Sequence, residues 1–341
     1  MPAKSIGVGV VGCGRIGRVH AGLLARRVEG ATVVGVFDPR APSAAELASE
    51  LGVPVADSVE ALIARDDLDA IAVCSSTDTH VDVIVAAAQA GKAILCEKPI
   101  SLDLAQVDRA LSQVERAGVP LQIGFNRRFD PGHQSVRDAV ASGVVGDVHI
   151  LRISSRDPIP PPLAYVEVSG GIFLDMTIHD FDMARYVTGS DVVEVYACGA
   201  LRIEPSFAGA GDLDTVAVTL THESGAFTLI DNSRRAVYGF DQRVEAFGSA
   251  GVAFSDNLPA HGGSVREPQG VRGAPLPAVF LERYLESYER EWEAFVRFVR
   301  DGGPSPVGGA DARAALVIGL AAWRSARERR PIAVAEVAAG P

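Results

Sequence analysis

The sequence predicts an α/β domain built on a parallel sheet, followed by an α+β domain with a largely antiparallel open sheet. Three observations carry this expectation. Short Val- and Ile-rich runs alternate with stretches of helical spacing early in the chain, a glycine-rich turn joins the first run to the first helix, and beyond Asn126 the alternation gives way to successive strands. At 341 residues, two cores are expected rather than one.

Runs at 6–11, 32–37, 70–74, 93–96 and 121–123 are short, rich in Val and Ile and nearly continuous in apolar residues, as strands covered on both faces are. Between them, stretches such as 81–90 and 104–117 space their apolar residues for helices. A Rossmann-type domain is therefore expected over 1–123 and a second domain over 124–341, with a last helix returning to the first. In the second, a helix at 134–141 precedes a strand at 148–154, a proline-rich loop at 158–162 and one long helix at 172–187. Strands are expected at 192–197, 215–221, 226–231 and 243–248, with Glu223-Ser224-Gly225 as a hairpin turn. An amphipathic helix at 281–299 stops at Asp301-Gly302-Gly303, and a final helix covers 312–327.

The composition, 48% hydrophobic and 22% charged, is that of a folded chain. A formal charge of -11 repels phosphate backbones and anionic headgroups, so the expected partner is a small molecule, not nucleic acid or a membrane. No signal-peptide pattern opens the chain and no apolar run approaches the roughly 20 residues of a membrane span, which implies a cytoplasmic protein. Cys13, Cys74, Cys96 and Cys198 stand singly, against a zinc ribbon or disulfide framework, and all four read as buried thiols.

Gly12-Cys13-Gly14-Arg15-Ile16-Gly17 follows the first strand and opens a helix. The first glycine permits the tight turn, the second lets a pyrophosphate approach the backbone, and the third packs helix on strand. Asp38 closes the second strand, where a carboxylate accepts from an adenosine ribose and repels a 2′-phosphate. NAD is the cofactor these features favour, with Arg40 placed to soften the preference. Arg15, Ile16, Ser75, Thr77, His80, Glu97 and Lys98 complete the expected cofactor set.

Glu97-Lys98-Pro99 follows a strand at the carboxyl edge of the sheet, where ligands of open α/β folds collect. A lysine there could bond a reacting oxygen or relay its proton. In the stretch from Gly170 to Asp182, Asp175, His179 and Asp182 are spaced four and three apart and are expected on one helix face. Alcohol oxidation needs a base for the hydroxyl proton, a task suited to His179 held by a carboxylate. A metal reading lacks a cysteine or second histidine nearby, so no metal is expected, and the other six histidines lack comparable company. Arg127, Arg128 and Asp130 read either as a grip on hydroxyls or as salt-bridge partners. Arg156 with Asp157, and Tyr238 with Asp241 on a later strand, are similar candidates.

On its glycine loop with Asp38, Cys96-Glu97-Lys98-Pro99, Gly124-Phe125-Asn126-Arg127-Arg128-Phe129-Asp130, the Gly170 to Arg185 stretch, Ser155-Arg156-Asp157-Pro158 and Tyr238-Gly239-Phe240-Asp241, the chain resembles the glucose-fructose oxidoreductase/inositol dehydrogenase/rhizopine-catabolism family over nearly its full length. The resemblance implies NAD-dependent oxidation of a secondary hydroxyl of a cyclic polyol, first of all myo-inositol to scyllo-inosose. Lys98, Asp175 and His179 would be catalytic, and Arg128, Asp157, Asp182 and Tyr238 would line the substrate site. It also implies a homo-oligomer, a dimer or tetramer, formed through the second domain's sheet. Some relatives carry Asn where this chain has Asp157, which bears on which polyol is chosen. Other readings on the same scaffold are a dehydrogenase of another cyclitol, amino-cyclitol or aldose, an NAD-dependent glycosidase, and a sugar-responsive regulator without catalysis.

Overall fold

A computed structural model describes residues 5–338, and the chain divides into two units, Met1–Asn126 with Tyr288–Ala314 and Arg127–Ser287 with Ala315–Pro341. In the first unit β1 (Ile6–Val11), β2 (Ala31–Phe37), β3 (Ala70–Val73), β4 (Ala93–Cys96) and β5 (Leu121–Ile123) form one sheet in the order β2-β1-β3-β4-β5. Every pairing in it is parallel. β1, β3 and β4 are buried at every position, which is why their sequences are apolar without alternation. Between the strands run α1 (Arg15–Arg26), α2 (Ala41–Leu51), α3 (Val59–Ile63), α4 (Thr77–Gln89) and α5 (Leu104–Ala117). α5 has the bounds its spacing predicts because both ends are capped: Asp103 accepts from the Gln106 N–H and Gly118 turns left-handed at φ 64.

The second unit begins at Arg127, within a 3-10 turn at Asn126–Phe129, and continues with α6 (Pro131–Ala141) and β6 (Val148–Arg156). Next come α7 (Leu163–Ser169), α8 (Gly171–Asp175) and α9 (Ile178–Thr188). The strands β7 (Val192–Ala200), β8 (Thr215–His222), β9 (Phe227–Ser233), β10 (Asp241–Gly248) and β11 (Val252–Ser255) precede an exposed hairpin, β12 (Ser264–Glu267) and β13 (Gly270–Gly273). α10 (Phe280–Asp301), α11 (Gly309–Glu328), β14 (Ile332–Ala333) and α12 (Ala335–Ala338) complete the described chain. Its seven-stranded sheet runs β11-β10-β6-β9-β8-β7-β14 and is antiparallel except for β6 against β9.

Three expectations are corrected. The single long helix at 172–187 is two helices, so Asp175 does not share one helix face with His179 and Asp182; it ends α8, and the others lie on α9. The cause is Thr177, whose N–H and hydroxyl both bond the Ile172 carbonyl, at 2.9 and 3.2 Å, beside the Met176 N–H at 3.0 Å. A side chain that competes for a backbone acceptor interrupts the i to i−4 ladder. Tyr238 lies in a turn ahead of β10, not on a strand, and Gly239 at φ 120 makes that turn possible. Cys198 is exposed on β7, whereas Cys13, Cys74 and Cys96 are buried.

Candidate active site

The glycine loop is shaped to receive a dinucleotide. Gly12 sits at φ 95 with a hypothetical Cβ 2.5 Å from the Cys74 carbonyl, so only glycine makes this turn. A Cβ on Gly17 would overlap the Gly12 carbonyl oxygen, which is the close packing of α1 on β1. At Gly14, by contrast, the nearest atom to a Cβ would be Arg40 Nη2 at 3.7 Å, and no side chain caps the start of α1. The open face and the helix N-terminus together suit a pyrophosphate. Arg15 is exposed and Ile16 partly buried on the first turn of α1.

Asp38, 7% exposed, accepts from the Cys13 N–H at 2.8 Å, the Arg40 N–H at 2.8 Å and the Arg40 guanidinium at 3.3 and 3.4 Å. Burial works against its charge, but the bonds from Arg40 and the Cys13 backbone outweigh it and hold the carboxyl below its usual range. The carboxylate thus stays charged where a ribose, not a 2′-phosphate, is accommodated, while Arg40 remains largely exposed beside it.

Ser75 and Thr77, both partly buried, stand at the exit of β3 and the start of α4, with Ser75 bonded to Thr79. His80 is 1% exposed, and its ring nitrogens face the Pro99 and Ser75 carbonyl oxygens at 2.9 and 3.0 Å. Burial pushes its pKa down, against the pull of those carbonyls, and the ring braces the loops that carry Ser75 and Pro99. Lys98, partly buried, follows β4 and precedes a cis peptide to Pro99, and its N–H reaches the Glu97 carboxyl at 3.3 Å. Glu97 is buried against His20 at 2.8 Å.

In the second unit the predicted charges resolve into pairs. Arg127 meets Asp180 at 2.7 Å, Arg128 grips both oxygens of Asp182 at 2.6 and 2.8 Å, and Asp130 is bonded by Arg283. Of the two roles open to Arg127, Arg128 and Asp130, the salt bridge is the one visible, and all six residues are buried. Arg128 also lies 5.0 Å over the Tyr186 ring. Tyr238, half exposed, donates to Asp241 at 2.6 Å and accepts from Arg156 at 2.8 Å, and Arg156 continues to Asp231.

Asp175 ends α8 with its carboxyl accepting from the Tyr165 hydroxyl at 2.8 Å and from Arg234 at 3.4 Å. Arg234, 1% exposed, reaches Asp212 at 3.3 Å, and Asp212 in turn accepts from the Ile172 N–H at the start of α8. His179 is partly buried on the first turn of α9, its N–H directed at the Met176 carbonyl. Burial pushes the Asp157 carboxyl up to about 6; Arg127 and Arg234 oppose the shift, and Asp175 and Asp180 add to it. Asp157, Asp175, Asp180, Arg127 and Arg234 are therefore one electrostatic group.

Sequence reasoning missed Tyr165, Asp180, Asp212, Arg234 and the pairing of His20. Asp180 was visible inside the Gly170 to Asp182 motif, but Arg234 lies 59 residues from Asp175 and carries no local signal. The expectation that no histidine besides His179 keeps comparable company is corrected by His20, which meets both Glu97 and Trp292.

Residues 6–125 match the model of an oxidoreductase family with an NAD-binding Rossmann fold, and residues 133–254 match the same family's C-terminal domain. The chain is 47% identical over 331 residues to a myo-inositol 2-dehydrogenase of Thermotoga maritima, covering 97% of this chain and 99% of that one. It is 43% identical over 327 residues to an inositol 2-dehydrogenase of Rhizobium meliloti, covering 96% and 98%. Among solved structures, the scyllo-inositol dehydrogenase of Lactobacillus casei with bound NAD(H) and scyllo-inositol superposes with a TM-score of 0.91 at 28% identity, covering 97% of this chain and 100% of that one. The chain belongs to the Gfo/Idh/MocA family of NAD-binding oxidoreductases.

Proposed function

We propose that this enzyme oxidises the 2-hydroxyl of myo-inositol to the ketone scyllo-inosose. The observation that carries the reading is the near full-length similarity to a myo-inositol 2-dehydrogenase, on a chain that keeps Lys98, Asp175 and His179. Bound NAD supplies the hydride acceptor. His179 takes the hydroxyl proton as the carbinol hydrogen leaves with its electron pair, and Lys98 bonds the same oxygen and relays the proton. Asp175, anchored by Tyr165 and Arg234, supports the imidazole, and Asp157 lines the polyol site with Tyr238. Arg128 and Asp182 hold that wall through their mutual pair.

Among the described residues no helix is long and apolar enough to cross a membrane. We place the enzyme in the cytoplasm, where such a reaction draws on the NAD pool, and assign it a homo-oligomeric state through the seven-stranded sheet. Initial rates of NADH formation over a panel of inositols, amino-cyclitols and pyranoses test the reaction. Myo-inositol should give the highest kcat/KM; an aldose that outpaces every cyclitol would overturn the assignment. Steady NADH accumulation also separates it from a glycosidase that recycles its cofactor and from a regulator with no turnover.

A further inference from the structure

The carboxyl of Glu97 is held by a chain of donors reaching across the first unit. Trp292 on α10 directs its indole N–H at His20 Nδ1, 2.8 Å away. An indole nitrogen only donates, so Nδ1 is an acceptor and the ring proton sits on Nε2. Nε2 lies 2.8 Å from Glu97 Oε1 and donates to it. The other carboxyl oxygen, Oε2, accepts the Lys98 N–H at 3.3 Å. Gly124 leaves room for this carboxyl, since a Cβ there would stand 3.1 Å from Oε2. His20 and Trp292 are both 0% exposed, and Tyr288 and Trp292 pack edge-on against the imidazole at centroid distances of 5.5 and 5.7 Å.

We infer that Trp292 and His20 are positioning residues for the reaction: they fix one tautomer, which orients the Glu97 carboxylate and through it the backbone that carries Lys98. The inference rests on the role given to Lys98 above. A histidine is needed here because it presents an acceptor and a donor on opposite sides of one rigid ring, so one hydrogen bond dictates the other. An apolar residue of similar size would leave both the indole N–H and a carboxyl oxygen buried without partners. The other titratable groups facing Glu97 are Cys74, Cys96, His80 and Glu291. Among the described residues none hydrogen-bonds either carboxyl oxygen of Glu291, and burial, with Glu97 nearby, raises its pKa well above the usual value. The His20 bond to Oε1 is accordingly the side-chain contact that orients the Glu97 carboxyl, beside the Lys98 N–H on Oε2.

The test has two arms on the NAD-loaded enzyme. In a long-range proton–nitrogen spectrum of enzyme labelled at histidine nitrogen, His20, assigned by its loss in His20→Gln, should show a protonated Nε2 and a bonded, unprotonated Nδ1. Trp292→Phe should move the Nδ1 resonance toward its unbonded position. In steady-state assays, His20→Leu should lower kcat about 10- to 100-fold, the scale of misplacement effects on a reacting group. The KM for NAD should change less than kcat. His20→Gln, whose amide can accept from the indole and donate to the carboxylate, should recover most of the turnover. A proton found on Nδ1 would overturn the inference, as would a His20→Leu enzyme that loses thermal stability but keeps kcat. Wild-type enzyme that turned over no cyclitol would sink the function proposed above, while the tautomer measurement would still decide this one.

Discussion

Asp157 places a carboxyl in a partly buried setting where the charge of Asp175 and Asp180 opposes its own. Its folded pKa of about 6 exceeds the value near 4 expected in the unfolded chain. The sign follows from proton counting. Between about pH 4 and pH 6 the native state binds the extra proton, so stability falls as pH rises through that window, and the full cost is present above it. Two pKa units correspond to roughly 3 kcal/mol as an upper figure. Asp157→Asn keeps the shape without the charge and should raise the melting temperature at pH 7 while leaving it nearly unchanged at pH 4. Thermal denaturation of both proteins across this range checks it; equal shifts at the two pH values would contradict the electrostatic account. The residue itself was legible beside the proline run, but its protonation was not, because Arg127, the Asp175 and Asp180 pair, and Arg234 come from three separate parts of the sequence.

Asp180 ties elements together. It is 0% exposed and accepts from Arg127 of the 3-10 turn at 2.7 Å, from Ser155 of β6 at 2.6 Å and from Asn232 of β9 at 2.7 Å. These bonds seat the first turn of α9, and His179 with it, against the parallel pair β6 and β9. Asp180→Ala should therefore destabilise the enzyme by about 3–5 kcal/mol, because it leaves the Arg127 charge buried without its partner. Urea denaturation measures the loss. A change within about 0.5 kcal/mol, as for an ordinary surface site, would show that the cluster is not a fastener. Elements whose signals are local could be read ahead: α5 carries its caps in sequence, and the buried strands announce themselves by unbroken apolar runs. The division between α8 and α9 could not, since nothing in the order of residues says that the Thr177 hydroxyl will take the Ile172 carbonyl. α7 was missed for a related reason: seven residues between a proline run and Gly170 are too short to display a helical period. The parallel neighbours β6 and β9 lie 77 residues apart at Ile150 and Phe227, beyond the reach of any hairpin signal.

At the scale of the whole molecule, the seven-stranded sheet has one face that solvent alone would cover poorly. Tyr196, Phe227, Leu229, Phe247, Val252 and Phe254 are between 39% and 65% exposed on it. Registry aligns Val252, Phe247, Ile150 and Phe227 in one row across β11, β10, β6 and β9. Charges on the same face are already matched, Arg152 with Glu245 at 3.3 Å and Arg156 with Asp231 at 2.6 Å, so a second copy could approach without confronting a field of one sign. That matters for a chain of formal charge -11, whose copies repel one another unless the contacting surfaces are nearly neutral. An apolar patch of this kind on a soluble protein marks an association surface, and a two-fold contact uses it twice, so one substitution acts on both sides of the interface. The enzyme should therefore run as a dimer or tetramer in light scattering coupled to size exclusion. Phe247→Glu combined with Leu229→Glu should yield a smaller species with an unchanged far-UV circular dichroism spectrum, since both side chains are substantially exposed within one copy. A wild-type chain that is monomeric at tens of micromolar, or a double variant of undiminished mass, would show that this face serves something other than self-association.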